Sequence, residues 1–136
     1  MRMMAVDYGD VRTGVAFCDP REMLASAYQT IEERYAPKLA EKLAAIAKAE
    51  NAEQIVVGLP RNMDGSYGYR CDACRRLGDL LQECTGLPVV YQDERLTTVL
   101  AYDLLSAGHV HGKKSKQNVD AVSASVILQS YLDSRH

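Results

Sequence analysis

Several features are missing from this sequence, and each absence narrows what the chain can be. No apolar run approaches the roughly 20 residues that a membrane-crossing helix needs. The N-terminus lacks the apolar core of a secretory signal, so the expected compartment is the cytoplasm, with no membrane partner. Positive charge is not in excess: 16 Lys and Arg against 18 Asp and Glu give a formal net charge of -2. A uniformly basic nucleic-acid binder is thereby disfavoured, and attraction to a polyanion would need local basic patches or cations held by carboxylates. Cys71 and Cys74 form a single CxxC with neither a second pair nor a suitably spaced histidine, so no structural zinc site is expected. Cys74, Leu77, Leu81 and Cys84 share one face of a helix-like stretch, the pattern of reduced thiols packed in or near a core. Repeats, linkers and low-complexity tracts are absent too. A length of 136 residues, 47% apolar and 25% charged, suits one soluble domain over 1–136.

What is present opens with Met3-Met4-Ala5-Val6, a short apolar run that ends in Asp7 and is followed by Tyr8-Gly9. After Asp10-Val11-Arg12-Thr13-Gly14 comes a second apolar run, Val15 to Cys18. The pattern predicts strand, tight turn and antiparallel strand, with Gly9 and Gly14 bracketing the reversal. A carboxylate at a strand end beside a glycine turn either holds a metal ion or phosphate close to backbone, or simply caps the turn. Ser26 to Ile31 would add a third strand and complete a meander.

Beyond the meander the period changes. Pro37 sits where the first turn of a helix tolerates it, and Leu39, Leu43 and Ile46 follow at helical spacing to about Glu50. Gln54 to Gly58 reads as a strand buried on both faces. Arg61 to Tyr69 reads as a polar loop, and Leu77, Leu80 and Leu81 carry a helix that Gly86 stops. Pro88 to Gln92 is expected as another buried strand, ending in Asp93 and Glu94. Thr97 or Thr98 would cap a helix to Gly108. A basic, polar segment then runs to Gln117, and a last helix is expected from about Asn118 to Leu132. The order predicts an α/β domain: a mixed five-stranded sheet, a three-strand antiparallel meander plus two parallel strands, with helices on both faces.

Three acids stand at the ends of these elements. Asp7 closes the first strand, Glu94 follows the last, and Asp120 opens the final helix. Parallel strand ends converge on one edge of an open sheet, so Asp7 and Glu94 are expected to meet there. Small residues after Asp120 would let its helix come close. Two carboxylates about 4 Å apart repel by roughly 4 kcal/mol at an effective dielectric of about 20. Such a cluster must protonate, find basic partners or bind cations, and hard divalent ions suit oxygen ligands. Paired ions of this kind serve phosphodiester hydrolysis.

Four blocks of the chain also resemble a known family: Asp7-Tyr8-Gly9 with Arg12 and Gly14; Gly58-Leu59-Pro60 with Asn62-Met63-Asp64-Gly65; Asp93 to Thr98; and Asp120 with Ala124. Together, in this order, they look like the motif blocks of the YqgF (RuvX) family of the RNase H-like superfamily. Its members are described as Holliday-junction resolvases and as nucleases acting at the 5′ end of pre-16S rRNA. The resemblance implies an RNase H-like fold, Asp7, Glu94 and Asp120 as catalytic, metal-binding acids, and Mg²⁺ or Mn²⁺ as cofactor. The chain departs from the family pattern at Asp10, where a small hydroxyl residue is usual, at Ser123, usually alanine, and at Leu100, often glutamate.

Other residues are candidates for holding a nucleic acid, pre-rRNA or branched DNA. Arg12 belongs to the first motif block. Arg95 would contact a phosphate or pair with neighbouring acids. Lys113, Lys114 and Lys116 would clamp a backbone or form a solvated charge run. The loop containing Asn62 and Gly65 would offer amides to a phosphate, with Tyr67 or Tyr69 stacking a base, or be a plain connection. His109 and His111 are a weaker metal pair. The expected function is metal-dependent hydrolysis of phosphodiester bonds in structured nucleic acid, by a monomer or a homodimer. The rivals are a catalytically weak nucleic-acid-binding or ribosome-assembly module with the same fold, and a lobe of the actin and sugar-kinase type.

Overall fold

A computed structural model describes residues 1–59, 69–93 and 113–135, with backbone alone at 69–70, 93 and 113–119. The meander forms as its short apolar runs and bracketing glycines predict. Strands β1 (Met3–Asp7), β2 (Arg12–Cys18) and β3 (Ala25–Glu32) pair antiparallel in sequence. Helix α1 (Ala36–Ala49) starts with Pro37 in its first turn and leads to β4 (Gln54–Leu59). Helix α2 (Tyr69–Thr85) is followed by Gly86 at φ 71°, a left-handed stop. Strand β5 (Val89–Asp93) and helix α3 (Lys113–Arg135) complete the described elements. The sheet order is β3-β2-β1-β4-β5, and β1, β4 and β5 run parallel.

Strand alternation divides the core in two. Met4, Val6, Val15, Phe17, Ile55 and Val57 meet Leu39 and Leu43 of α1 and Leu77 and Leu81 of α2. Met3, Ala5, Ala16, Cys18 and Val56 turn the other way, onto Ala124, Ile127, Leu128 and Leu132 of α3. The second face is floored mainly by small side chains, which lets α3 lie close across β1, β2 and β3. Hydrogen bonds fix its rotation: Gln54 Nε2 donates to the Tyr131 hydroxyl at 3.1 Å, and the Ala25 amide donates to Gln129 Oε1 at 2.9 Å.

Three expectations need correcting. Strand β5 is half-buried rather than buried, because it lies at an edge of the sheet. Cys84 is exposed while Cys71 and Cys74 are buried, since the end of α2 outruns the core. Helix α3 begins at Lys113, not near Asn118, so Asp120 lies two turns inside it. Lysine and glutamine are good helix formers, and no glycine or proline interrupts residues 113–135. The expected helix over 97–108 lies outside the described residues. Among the described residues no helix is long and apolar enough to cross a membrane.

Candidate active site

Asp7 is the last residue of β1, and its register partner on β2 is Gly14. Counting by twos from Met3 and Ala5, Asp7 is on the sheet face that α3 covers. Gly14 is where that helix touches down. A Cβ built at residue 14 would overlap the Asp120 carbonyl and crowd the Ala121 amide. Backbone therefore meets backbone at this point, and only glycine permits it. Gly14, beside Asp7 in the sheet, thus meets the helix at Asp120, which sets the backbones of positions 7 and 120 near each other.

The electrostatics of Asp120 follow from its position. Burial against the sheet pushes its carboxyl above the ordinary carboxylate range, and the nearby positive charge of Arg12 pulls partly back. Arg12 opens β2 and is paired in register with Glu32 at the end of β3. Its Nε lies 3.7 Å from Glu32 Oε1, an exposed ion pair. Arg12 thus stands between Asp120 and Glu32. Sequence reading did not single out Glu32, although strand alternation across the meander places it opposite Arg12.

At the other side of Asp7 the parallel strands carry the same edge outward. Val6 is level with Val57, Gly58 with Gln92, and Leu59 with Asp93. Gln92 faces α3, where its amide donates to Ser130 Oγ at 3.4 Å. Glu94 comes next but one and lies outside the described residues, as do Arg95, Asn62, Gly65, Tyr67, His109 and His111. Lys113, Lys114 and Lys116 fall in the first turns of α3, where only backbone is described, and Tyr69 likewise opens α2. Asp10 is exposed in the β1–β2 turn. Among the described residues no three of His, Cys, Asp and Glu gather into a metal site. Asp7 and Asp120 are two of the three acids expected, and both are hard oxygen donors. A carboxylate that burial deprives of solvent gains most from a cation, so the pair fits a divalent ion.

A mixed five-stranded sheet in this order, with helices on both faces, is the RNase H-like fold of the Holliday junction resolvases. RuvC of T. thermophilus in complex with Holliday junction substrate superposes with a TM-score of 0.63 at 13% identity, over 99% of this chain and 95% of that one. Fowlpox virus resolvase with junction DNA gives 0.63 at 10% identity, over 99% of both chains. At such identities the likeness defines the fold. The family follows from sequence: the RuvX model, described as Holliday junction resolvase, matches residues 1–134, and the chain belongs to that family. A relative from Heliobacterium modesticaldum, named "Putative pre-16S rRNA nuclease", is 42% identical over 135 residues, covering 99% of this chain and 91% of its own.

Proposed function

We propose that this chain is a divalent-metal-dependent nuclease that hydrolyses phosphodiester bonds in structured nucleic acid. The substrate is the 5′ end of pre-16S rRNA, branched DNA at a Holliday junction, or both. The observation that carries the reading is the contact at Gly14, which sets Asp120 beside the strand that ends in Asp7. Family membership and the names of the relatives agree with it. The whole of 1–136 acts as one cytoplasmic nuclease domain, as a monomer or a homodimer.

Asp7 and Asp120, with Glu94 following β5, hold Mg²⁺ or Mn²⁺. A bound divalent ion supplies Lewis acidity to the phosphoryl oxygen and lowers the pKa of water. The rest falls to the chain itself. Arg12, Arg95, Lys113, Lys114 and Lys116 neutralise backbone phosphates, and Asn62 and Gly65 position the strand. Burial around Asp120 keeps its carboxylate poorly solvated and so available to a cation. The test is Asp7→Asn: metal-dependent cleavage of matched RNA and DNA substrates should vanish while circular dichroism stays that of the wild type. Calorimetric titration with Mn²⁺ should show uptake in the wild type and its loss in the variant. Cleavage retained by a clean preparation of Asp7→Asn would overturn the reading, and absence of metal uptake by the wild type would favour the non-catalytic binding module.

A further inference from the structure

Among the described residues Arg12 bears on Asp120, of the metal-binding set, and on Glu32, which lies outside that set. Toward the helix it bears on Asp120; toward the sheet edge it meets Glu32 at 3.7 Å, beyond hydrogen-bond reach. Arg12 and Glu32 are the terminal pair of the β2–β3 ladder, and β3 is an outer strand. Alternation from Ala16 and Cys18 puts Arg12 on the face that α3 covers, and Glu32, its partner across the ladder, with it. With Ala27, Gln29, Thr30 and Ala121 they line a cleft of about 390 Å³ between the sheet edge and α3. Ala121 follows Asp120 directly, so the cleft opens beside the candidate active site.

We propose that this cleft is a subsite for the nucleic-acid strand next to the scissile phosphodiester, with Arg12 taking a backbone phosphate and Glu32 acting as a charge gate. The proposal rests on the nuclease reading and names where its substrate lies. Arg12 carries five N–H donors in a planar fork that matches a phosphate in two parallel hydrogen bonds. Its contact with Glu32 is long and exposed, and ion pairs of that kind hold weakly. The Glu32 side chain is 69% exposed and that of Arg12 42%, so Glu32 is the outer partner and the one that swings away. In the free protein it masks the positive charge. A phosphate brought into the cleft displaces it, and any anion too poorly placed to do so is repelled. Glu32 thus lowers indiscriminate affinity in return for discrimination.

The test is a double-mutant cycle on binding alone. Fluorescence anisotropy of a labelled single-stranded RNA oligonucleotide, with its DNA counterpart, would be measured in EDTA for wild type, Glu32→Gln, Arg12→Ala and the double variant. Repulsion by the vacant acids is common to all four proteins and cancels. Glu32→Gln should tighten binding about fivefold and Arg12→Ala weaken it about tenfold, with the salt slope falling by about one. In the Arg12→Ala background, Glu32→Gln should change Kd less than about twofold, because the gate has nothing left to hold. An equal gain with and without Arg12 would show a long-range charge effect and overturn the gate. An unchanged Kd in Arg12→Ala would overturn the phosphate contact. Beside Asp7-dependent cleavage, the first result would remove the gate and the second the subsite, and both would leave the nuclease standing; a coupled cycle in a protein that never cleaves would do the reverse.

Discussion

The Asp120 carbonyl occupies the space that a side chain at Gly14 would need. This contact sets the separation between α3 and the sheet, and with it the relation of Asp120 to Asp7. Gly14→Ala must push the helix away, since backbone on both sides has no rotamer with which to yield. Overpacking of this kind costs about 1–3 kcal/mol. A displacement near 1 Å at a catalytic group costs on the order of a hundredfold in rate. Denaturant unfolding and cleavage assays on Gly14→Ala should show both losses. Gly86→Ala is the control: a Cβ there meets open space, but φ is 71°. It should lose about 1 kcal/mol to backbone strain and keep its cleavage rate.

The raised carboxyl of Asp120 makes the candidate site a burden on the metal-free fold. Burial is the main cause and Arg12 the partial relief. The folded state holds the Asp120 proton more tightly than the unfolded chain does. Its contribution to stability is therefore fully present below the unfolded value, about pH 4, and is lost as pH rises through the raised folded value. Above the unfolded value, keeping this carboxyl in its buried place costs the metal-free protein stability. Asp120→Asn removes it, so the variant should melt about 2–4 °C higher in EDTA at pH 7 and show no gain at pH 4. Cleavage should be lost. Equal melting temperatures at both pH values would remove the electrostatic account.

How far the sequence reveals this arrangement depends on the range of the forces involved. Short apolar runs bounded by glycines and turn residues show the meander, β4 and the role of Asp7 as a strand end, because those signals are local. The close approach of Asp120 to the sheet is legible only as a run of small residues. Its cause lies 106 positions earlier in the chain, at Gly14. The start of α3 is not legible because Lys113 to Gln117 carry no apolar period, although their helix propensity is good. Helical periodicity groups Cys84 with Leu81 but carries no information on where the core ends. Glu32 gives no signal in the sequence because a lone glutamate on an edge strand has no motif around it. Its partner, Arg12, is a neighbour in the sheet and not in the sequence.

Thr13 presents a buried cost of a different kind. Its side chain is wholly inaccessible, and its hydroxyl has no hydrogen-bond partner among the described residues. Alternation places it with Val15 and Phe17 toward α1 and α2, opposite Ile31. Burying an unpaired hydroxyl costs about 1–3 kcal/mol on protein scales, whereas its methyl group earns its place by packing. Thr13→Val keeps the shape and the β-branching and removes the orphan oxygen. The variant should gain about 1 kcal/mol in denaturant unfolding, with an unchanged m-value. Thr13→Ser retains the hydroxyl and deletes the methyl, and should lose about 1 kcal/mol. The opposite signs separate the two groups on one side chain. A loss in Thr13→Val as large as that in Thr13→Ser would mean that the hydroxyl is satisfied in the folded protein, and the orphan assignment would fall.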